Sequence, residues 1–289
     1  MSAASHPRIV LQGRWLTAGL AQAVASLAGA SRVQQRSDTV WTCDTFATAP
    51  GAAIWARIRA LADAAQVDAN FIGAPRRLGS YRLAVMDMDS TLITIECIDE
   101  IADMLGIKPE VAAITEAAMR GEIAYPESLQ RRVALLKGLD VAALQRVYTE
   151  RLRLSPGAEQ LLSGFKAAGL KTLLVSGGFT FFTAKLQARL GLDFTHSNVL
   201  GIAPGDKLSG TVQGRIVDAE EKARMLLETC AKLGCTPADA IAIGDGANDL
   251  KMMAVAGLSV AYHAKPVVRA QTMTAISHNG LDAALQFFD

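Results

Sequence analysis

The sequence predicts an α/β protein: a doubly wound, mainly parallel sheet of the Rossmann-like kind, preceded by a small α+β unit. One observation behind this prediction is a change of composition near residue 78. The first 80 residues contain all three tryptophans and no lysine or glutamate, and eight Arg minus four Asp give a charge of +4. The other 21 basic and 24 acidic residues give −3. We therefore predict two domains, 1–78 and 79–289.

The second observation is a set of short apolar runs that alternate with helical patterns after residue 80. The four runs are Leu83–Met86, Thr172–Val175, Ala240–Ile243 and Leu258–Ala261, and helical patterns cover 158–168 and 220–233. Short, continuously apolar runs are typical of strands buried on both faces of a parallel sheet. Their alternation with helices predicts the doubly wound architecture.

The first segment has the element order β-α-β-β-α-β. The predicted elements are strand 8–12, helix 16–29, strand 32–37, strand 40–47, helix 51–65 and strand 67–72. This order is typical of a ferredoxin-like sheet backed by two helices. It resembles the ACT-type domains that sense amino acids, which would make this segment regulatory. A docking or dimerising module without a ligand, and hence a homodimer formed through this segment, is an equal alternative.

A helical cap is predicted directly after the first strand of the large domain. Residues 96–153 carry four helical patterns, at 98–106, 110–120, 126–137 and 140–152, and no strand pattern. This stretch is too long for a simple crossover. An insertion at this point lies over the carboxyl ends of the strands, where open α/β sheets bind ligands, so we predict that it forms a lid.

Composition limits the classes of function. The chain has 289 residues, 51% of them apolar, and its 29 basic and 28 acidic residues give a net charge of +1. This balance argues against a nucleic-acid partner and favours a small-molecule one. No run of about 18 apolar residues free of polar or charged interruption appears, so a membrane span is not expected. The four scattered cysteines predict a reducing, cytoplasmic location rather than a disulfide scaffold.

Two carboxylates follow the first strand of the large domain at a spacing of two, in Asp87-Met-Asp89-Ser-Thr91. Both side chains then fall on one side of the extended chain. Such a pair at the end of a buried strand needs a cation or a shared proton to relieve the repulsion between the charges. Taken alone, the pattern is equally typical of an ordinary turn.

Two further strand ends, or the elements near them, carry groups suited to a phosphate. In Ser176-Gly177-Gly178, a hydroxyl and exposed backbone N–H groups precede a helix, which is an arrangement that favours anions. Lys222 falls in the first turns of the next predicted helix. A lone helical lysine is normally a solvated surface charge, so only its neighbours could give it a function.

The third core strand ends in the most specific motif, Gly244-Asp245-Gly-Ala-Asn248-Asp249. Its glycines free the turn, and its polar groups can face a cation, although Asp249 could also be a plain helix N-cap. Since all these motifs follow strands of one sheet, their side chains converge on one crevice.

These motifs, in this order and placement, resemble the haloacid dehalogenase superfamily of phosphotransferases over residues 83–289, and within it the phosphoserine phosphatases. The resemblance implies that Asp87 is a nucleophile that forms an aspartyl-phosphate and that Asp89 is the general acid and base. It further implies Mg²⁺ bound by Asp87, the Asp89 backbone carbonyl and Asp245, with Asp249 acting through water. Implied phosphate ligands are Ser176, Gly177, Lys222 and Asn248.

The resemblance also implies the substrate contacts. Glu96 would accept from the ammonium group of phosphoserine, and Arg132 would hold its carboxylate. From the residues alone, Arg131 is as good a candidate as Arg132, and Glu96 could be a simple loop charge. Met88 and Tyr125 depart from the family pattern, which favours an aromatic residue and Phe at these positions.

Two other functions stay open at this point. One is a related phosphatase that acts on another small phosphomonoester. The other is a catalytically silent amino-acid sensor, against which the intact set of Asp87, Asp89, Lys222 and Asp245 argues.

Overall fold

A small antiparallel sheet forms the N-terminal part of the computed structural model, which describes residues 6–46 and 48–289. Its elements are β1 (Arg8–Gln12), α1 (Ala18–Ala28), β2 (Ala30–Ser37), β3 (Val40–Phe46), α2 (Ala52–Ala64) and β4 (Asp68–Ile72). The strand order is β2-β3-β1-β4, with every neighbouring pair antiparallel. The predicted β-α-β-β-α-β order is confirmed; residue 47, which the prediction included in the third strand, lies outside the described residues. The ACT-like assignment stays a prediction.

Local chemistry explains the ends of α1. Thr17 caps its N-terminus by accepting a hydrogen bond from the Leu20 backbone N–H at 3.2 Å. Gly29 ends the helix with φ of 70°, a left-handed conformation that glycine adopts without a steric penalty. Between these residues, Val24 packs with Ile9 and Ile58 in a core between the helices and one face of the sheet.

The second sheet has seven strands in the order β11-β10-β9-β5-β6-β7-β8. They are β5 (Leu83–Met86), β6 (Lys171–Phe179), β7 (Phe194–Ala203), β8 (Lys207–Gln213), β9 (Ala240–Gly244), β10 (Leu258–Tyr262) and β11 (Thr274–Ile276). Every neighbouring pair is parallel except β7 and β8, which are antiparallel. The doubly wound, mainly parallel sheet is therefore confirmed.

Nine helices accompany this sheet in the described chain. They are α3 (Cys97–Met104), α4 (Lys108–Met119), α5 (Tyr125–Ala134), α6 (Ala142–Arg146), α7 (Ala158–Ala167), α8 (Thr180–Leu190), α9 (Ala219–Lys232), α10 (Leu250–Val255) and α11 (Pro266–Arg269). The first four form the cap between β5 and β6. The predicted fourth cap helix, 140–152, was too long, because regular helix ends at Arg146 and 147–151 forms a wider turn.

The apolar pattern of the sequence did not predict β7, β8 or β11. The first half of β7, with Thr195, His196, Ser197 and Asn198, is polar and so gives no buried-strand signal. β8 and β11 are the two edges of the sheet, and edge strands need less apolar sequence.

The cap is fastened to the sheet through β8. Gly138, which follows α5, donates its backbone N–H to the Leu208 carbonyl at 2.8 Å, and Leu208 donates to the Leu139 carbonyl at 2.7 Å. These bonds hold the cap over the carboxyl ends of the strands. The chain reverses its direction of winding between β5 and β9, so the crevice at this switch point is where the fold is expected to bind ligands.

A polar seam joins the N-terminal sheet to the edge of the large sheet. The Asp68 carboxylate accepts from the Ser277 backbone N–H and from the Asn279 side-chain amide, each at 2.7 Å. The Asn70 side chain accepts from the backbone N–H of Ala275 at 2.7 Å and donates to the Ala275 carbonyl at 2.9 Å. In the part of the chain that the structure describes, no helix has the length and apolarity to cross a membrane.

Candidate active site

Asp87 lies at the carboxyl end of β5, where it is 4% exposed. Its Oδ1 accepts a hydrogen bond from the Met88 backbone N–H at 2.8 Å and contacts the Lys222 ammonium at 2.7 Å. Both partners hold the same oxygen. Among the described residues, none donates a hydrogen bond to Oδ2, which leaves that oxygen available to a metal ion or a substrate.

Asp89 lies two residues after Asp87. The chain reverses direction at the next residue, Ser90, which has a left-handed conformation (φ 54°). The Asp89 Oδ1 accepts from the Cys97 backbone N–H at the start of α3, at 2.9 Å. Burial raises the pKa of Asp89, while the hydrogen bond from Cys97 opposes the shift. Its Oδ2 faces Gly178, because a Cβ placed there would lie 2.7 Å from this oxygen.

Lys222 reaches the site from α9, in the second turn after the N-cap residue Asp218. Its Nζ lies 2.7 Å from both the Asp87 and the Asp249 carboxylates, and its side chain is 1% exposed. Burial alone would lower the pKa of Lys222, but the charges of Asp249 and Asp87 outweigh burial and raise it. The lysine is therefore a buried cation rather than a surface charge.

Asp245 and Asp249 follow β9, on the other side of the switch point from Asp87. Thr91 donates to Asp245 Oδ1 at 3.0 Å, and the Gly246 backbone N–H donates to Asp249 Oδ2 at 3.1 Å. Gly244 leaves the space that Asp249 occupies, because a Cβ there would lie 2.3 Å from Asp249 Oδ2. Asp249 is thus held by the turn as well as by Lys222.

An acidic cluster results. Oxygens of Asp87, Asp245 and Asp249 all lie within 4.8 Å of one another. Burial and, to a smaller extent, the charge of Asp249 raise the pKa of Asp87 well above its usual range. The same two causes raise the pKa of Asp245 to about 6. Since the single ammonium of Lys222 does not balance this charge, the cluster favours a bound cation.

Neutral donors line the opposite side of the crevice, at the end of β6. Ser176 is fully buried, and its Oγ accepts from the Gly178 backbone N–H at 2.8 Å. Tyr125, the first residue of α5 in the cap, donates its hydroxyl to the Gly177 carbonyl at 3.4 Å. A Cβ at Gly177 would lie 2.2 Å from the tyrosine oxygen, so glycine is required for this contact.

The cap contributes Glu96 and Arg132. Ser90 donates to Glu96 Oε1 at 2.7 Å. Part of Glu96 is exposed, but the burial of its carboxyl group and the charge of Asp89 raise its pKa to about 8. Arg132 is half-buried, and among the described residues it has no carboxylate within 4.0 Å of its guanidinium nitrogens; its Nε donates to the Ser128 carbonyl at 3.4 Å.

The structure separates the two neighbouring arginines. Arg131 forms an exposed ion pair with Glu127 on the same helix, at 2.5 Å. Arg132 instead lies near Tyr125 and Asp99. Burial raises the pKa values of both side chains, and the charge of Arg132 offsets part of this increase.

The structure brings Asp87, Asp89, Lys222, Asp245, Asp249, Ser176 and Gly177 together at one edge of the sheet. Asn248 is half-buried beside Gly246, in the same turn as Asp249. Sequence reasoning gave no role to Thr91 or to the Cys97 backbone N–H, which hold Asp245 and Asp89 respectively. Thr91 is within the first motif and could have been proposed; a backbone donor eight residues away leaves no sequence signal.

A family model for haloacid dehalogenase-like hydrolases matches residues 81–257, which hold this whole site. The chain belongs to this family.

Similar proteins indicate which subgroup of this family the chain resembles. A phosphoserine phosphatase of Polaromonas sp. is 60% identical over 214 residues, covering 73% of this chain and 91% of the relative. Among solved structures, a probable phosphoserine phosphatase from Vibrio cholerae is 35% identical with a TM-score of 0.83, over 98% of this chain and 86% of that one. Within the hydrolases, the chain therefore falls in the phosphoserine phosphatase group.

The similarity includes the N-terminal sheet. A haloacid dehalogenase family hydrolase from Salmonella enterica serovar Typhi is 31% identical with a TM-score of 0.90, over 98% of both chains.

Proposed function

We propose that this protein hydrolyses O-phosphoserine to serine and phosphate, the last step of serine biosynthesis, with Mg²⁺ as its cofactor. The observation that carries the proposal is the position of Lys222, buried between Asp87 and Asp249 at 2.7 Å from each, opposite Ser176 and Gly177. This arrangement provides a nucleophile, a cation and neutral donors around one small crevice, as phosphoryl transfer requires.

Asp87 is the proposed nucleophile. One of its carboxylate oxygens bonds to the phosphorus as the bond from phosphorus to the serine oxygen breaks, which gives an aspartyl-phosphate. The hydrogen bond from Met88 and the contact with Lys222 fix the orientation of the carboxylate before the attack. Water then attacks the phosphorus and releases phosphate and free Asp87.

Asp89 is the proposed general acid and base. It donates a proton to the departing serine oxygen, and in the second step it takes a proton from the attacking water. The raised pKa of Asp89, caused by burial, supports the protonated state that the first step needs. The backbone N–H of Cys97 stabilises the ionised state that remains after that step.

Lys222, Ser176 and the Gly177 N–H are the proposed ligands of the phosphoryl oxygens, with Asn248 beside them. Because the Ser176 Oγ accepts from Gly178, its own O–H is free to donate. Fixed donors of this kind stabilise the charge on a transferring phosphoryl group without reorganising during the reaction.

The acidic cluster fits a magnesium ion. Asp87, Asp245 and Asp249 offer only carboxylate oxygens, the ligand type that Mg²⁺ prefers, and burial together with the charge of Asp249 raises the pKa values of Asp87 and Asp245. We expect Asp87, the Asp89 carbonyl and Asp245 to bind the ion directly and Asp249 to support it. Bound there, Mg²⁺ would neutralise charge on the phosphate and orient it.

Glu96 and Arg132 are the residues that we propose bind the amino-acid part of the substrate. Arg132 has no carboxylate partner among the described residues, so its guanidinium can bind the substrate carboxylate, whereas Arg131 is already paired with Glu127. Glu96 lies beside Asp89, and a substrate ammonium next to it would lower its raised pKa and favour the ionised carboxylate that accepts from the ammonium. Phosphate, carboxylate and ammonium would each meet a group of opposite charge.

A panel of phosphomonoesters tests this proposal. Purified protein with Mg²⁺ should release phosphate from phosphoserine at a higher kcat/KM than from phosphothreonine, phosphotyrosine or a sugar phosphate. A preference for a sugar phosphate would reject the substrate and favour the alternative, a related phosphatase for another small ester. No release from any ester would reject the enzyme function itself.

The remaining assignments also stay predictions. They are the division into residues 1–78 and 79–289 with a cap at about 96–153, the regulatory or dimerising role of the N-terminal part, a homodimer, and a cytoplasmic location. The described cysteines are all free thiols, which suits a reducing compartment. Light scattering of the full chain would test the homodimer.

A further inference from the structure

Asn198 lies on β7 beside the proposed phosphate ligands, and none of the strand-end motifs includes it. Its side chain is buried, with 1% of the residue exposed. The amide Nδ2 donates to the Gly177 carbonyl at 2.7 Å, and Oδ1 accepts from the Val217 backbone N–H at 2.9 Å. One side chain thus bridges the irregular end of β6 and the segment that leads into α9.

We propose that Asn198 is a positioning residue for phosphoryl transfer: it fixes the Ser176–Gly178 bulge of β6 relative to the start of the helix that carries Lys222, without touching the substrate. The inference rests on the proposed function, because it concerns the same phosphate-binding groups. It adds a residue that links the two sides of the crevice.

The pairing of β6 with β7 explains why a side chain is needed here. Ser176 pairs with Ser197, and the next pair is Phe179 with Asn198, so Gly177 and Gly178 have no partner on β7. The two glycines bulge out of the ladder towards the crevice. The Asn198 amide supplies the hydrogen bond that a backbone partner would otherwise give to the Gly177 carbonyl.

This hydrogen bond fixes a peptide plane. The Gly177 carbonyl and the Gly178 N–H belong to one planar unit, so holding the carbonyl sets the direction of the N–H. That N–H donates to Ser176 Oγ at 2.8 Å. The Ser176 oxygen is thereby held as an acceptor, and its hydroxyl hydrogen is left to donate into the crevice.

The other end of Asn198 acts on Lys222. Val217 immediately precedes Asp218, which caps α9 by accepting from the Glu221 N–H at 2.9 Å. The Lys222 N–H in turn donates to the Asp218 carbonyl at 2.9 Å. Holding the Val217 N–H therefore fixes the first turn of the helix from which Lys222 reaches Asp87.

Asn70 provides a matched control for a purely structural role. It is also buried, at 2% exposed, and its amide also bonds one backbone N–H and one backbone carbonyl, both of Ala275. It lies at the seam with the N-terminal sheet rather than at the crevice. If Asn198 only satisfied buried backbone groups, the same substitution should have the same consequences at both positions.

The test compares Asn198→Asp with Asn70→Asp in the full chain, with wild type assayed on phosphoserine in the same series. Aspartate keeps the size and the acceptor but loses the donor. We expect both variants to melt at a lower temperature. Asn198→Asp should also lose about 30- to 100-fold in kcat with KM changed less than about threefold, because displaced donors cost the transition state more than the ground state. Asn70→Asp should keep kcat within about twofold.

Orthovanadate, which imitates the five-coordinate phosphorus, gives a second measurement. Its inhibition constant should rise in Asn198→Asp by about the factor by which kcat/KM falls, and stay at the wild-type value in Asn70→Asp. Asn198→Ala, assayed where circular dichroism shows it folded, should lose at least as much kcat as Asn198→Asp. It serves as the test if the aspartate variant does not fold.

Three results would overturn the inference. One is a folded Asn198 variant, Asp or Ala, with kcat within about twofold of wild type; another is an equal loss of kcat in Asn70→Asp. The third is unchanged vanadate inhibition in a variant that has lost activity. Wild-type protein that hydrolyses no phosphoserine would overturn the proposed function first, so the two failures are distinguishable.

Discussion

Two regions of this molecule bury carboxylates, and they differ in the number of hydrogen-bond donors that surround each carboxylate. At the seam with the N-terminal sheet, Asp68 accepts hydrogen bonds from the backbone of Ser277 and His278 and from the Asn279 amide. At the end of β5 and β9, three carboxylates crowd within 4.8 Å of one another, and Lys222 contacts two of them.

The difference separates a structural site from a functional one. Donors that match a carboxylate stabilise the fold, because they replace the hydrogen bonds of water. Burial, together with an excess of carboxylates over donors, raises the pKa values of Asp87 and Asp245. Such an excess destabilises the fold and is maintained where a cation or a substrate will complete the site.

Among variants that keep the nucleophile Asp87, the largest expected effect comes from removing the buried cation Lys222. Lys222→Ala should lower kcat about 100-fold or more, since losing one fixed donor typically costs about 2.7–4 kcal/mol in the barrier. It should also lower the melting temperature of metal-free protein, because Asp87 and Asp249 lose their shared partner. Steady-state kinetics and thermal unfolding measure the two effects.

Lys251→Ala is the control, because Lys251 pairs with Glu220 on the exposed surface. It should change neither quantity. If Lys222→Ala kept more than a tenth or so of wild-type kcat, Lys222 would be structural.

Next in size is the substitution Arg132→Lys, which keeps the charge but loses the planar fork that binds a carboxylate with two hydrogen bonds. We expect KM for phosphoserine to rise about tenfold while kcat falls much less. Arg131→Lys, at the exposed pair with Glu127, should match wild type in both. Equal effects on kcat and KM in Arg132→Lys would argue against a ground-state contact with the substrate.

Asp68→Ala, at the seam, should lower stability without changing catalysis. It leaves the backbone N–H groups of Ser277 and His278 without their Asp68 acceptor, at a cost of about 1–3 kcal/mol each, and removes one of the two acceptors of the Asn279 amide. We therefore expect a lower free energy of unfolding in urea, with kcat and KM unchanged for the folded fraction. A fall in kcat under conditions where the variant is fully folded would show that the seam affects the active site.

The smallest expected effect is the pH dependence of stability without metal. The pKa values of Asp245 and Glu96 are raised to about 6 and about 8, so the folded protein holds protons that the unfolded chain has already lost. Stability should therefore fall as pH rises from about 5 to about 8 in EDTA. A bound Mg²⁺ competes with the proton on Asp245, so its stabilising effect should be larger at the higher pH.

Melting curves with Mg²⁺ and with EDTA at both pH values measure this dependence. Asp245→Asn is the control and should reduce the gain that Mg²⁺ gives. A magnesium effect that is larger at about pH 5 than at about pH 8 would contradict the assignment of the cluster as the metal site.

The sequence predicted the elements whose signal is local. β5 and β9 are continuous apolar runs, and the motifs that follow them converge because parallel strands end at one edge. β7 was not predicted, because its first half is polar and contacts the crevice and β6.

The side-chain bridges in the site were also beyond the sequence. Tyr125 and Asn198 both bond the Gly177 carbonyl from positions 52 and 21 residues away. No periodicity links such positions, since the contacts depend on how the cap and β7 pack around the loop. Arg131 and Arg132 were equivalent in sequence, and only the direction of each side chain distinguishes them.

The formation of a phosphorylated Asp87 is the most direct test of the account. Protein mixed rapidly with Mg²⁺ and ³²P-labelled phosphoserine, then quenched in acid and digested, should carry the label on the peptide that contains Asp87, and an unlabelled chase should remove it. Asp87→Asn should carry no label and release no phosphate. Label on a different peptide, or phosphate release by Asp87→Asn at the wild-type rate, would contradict the account.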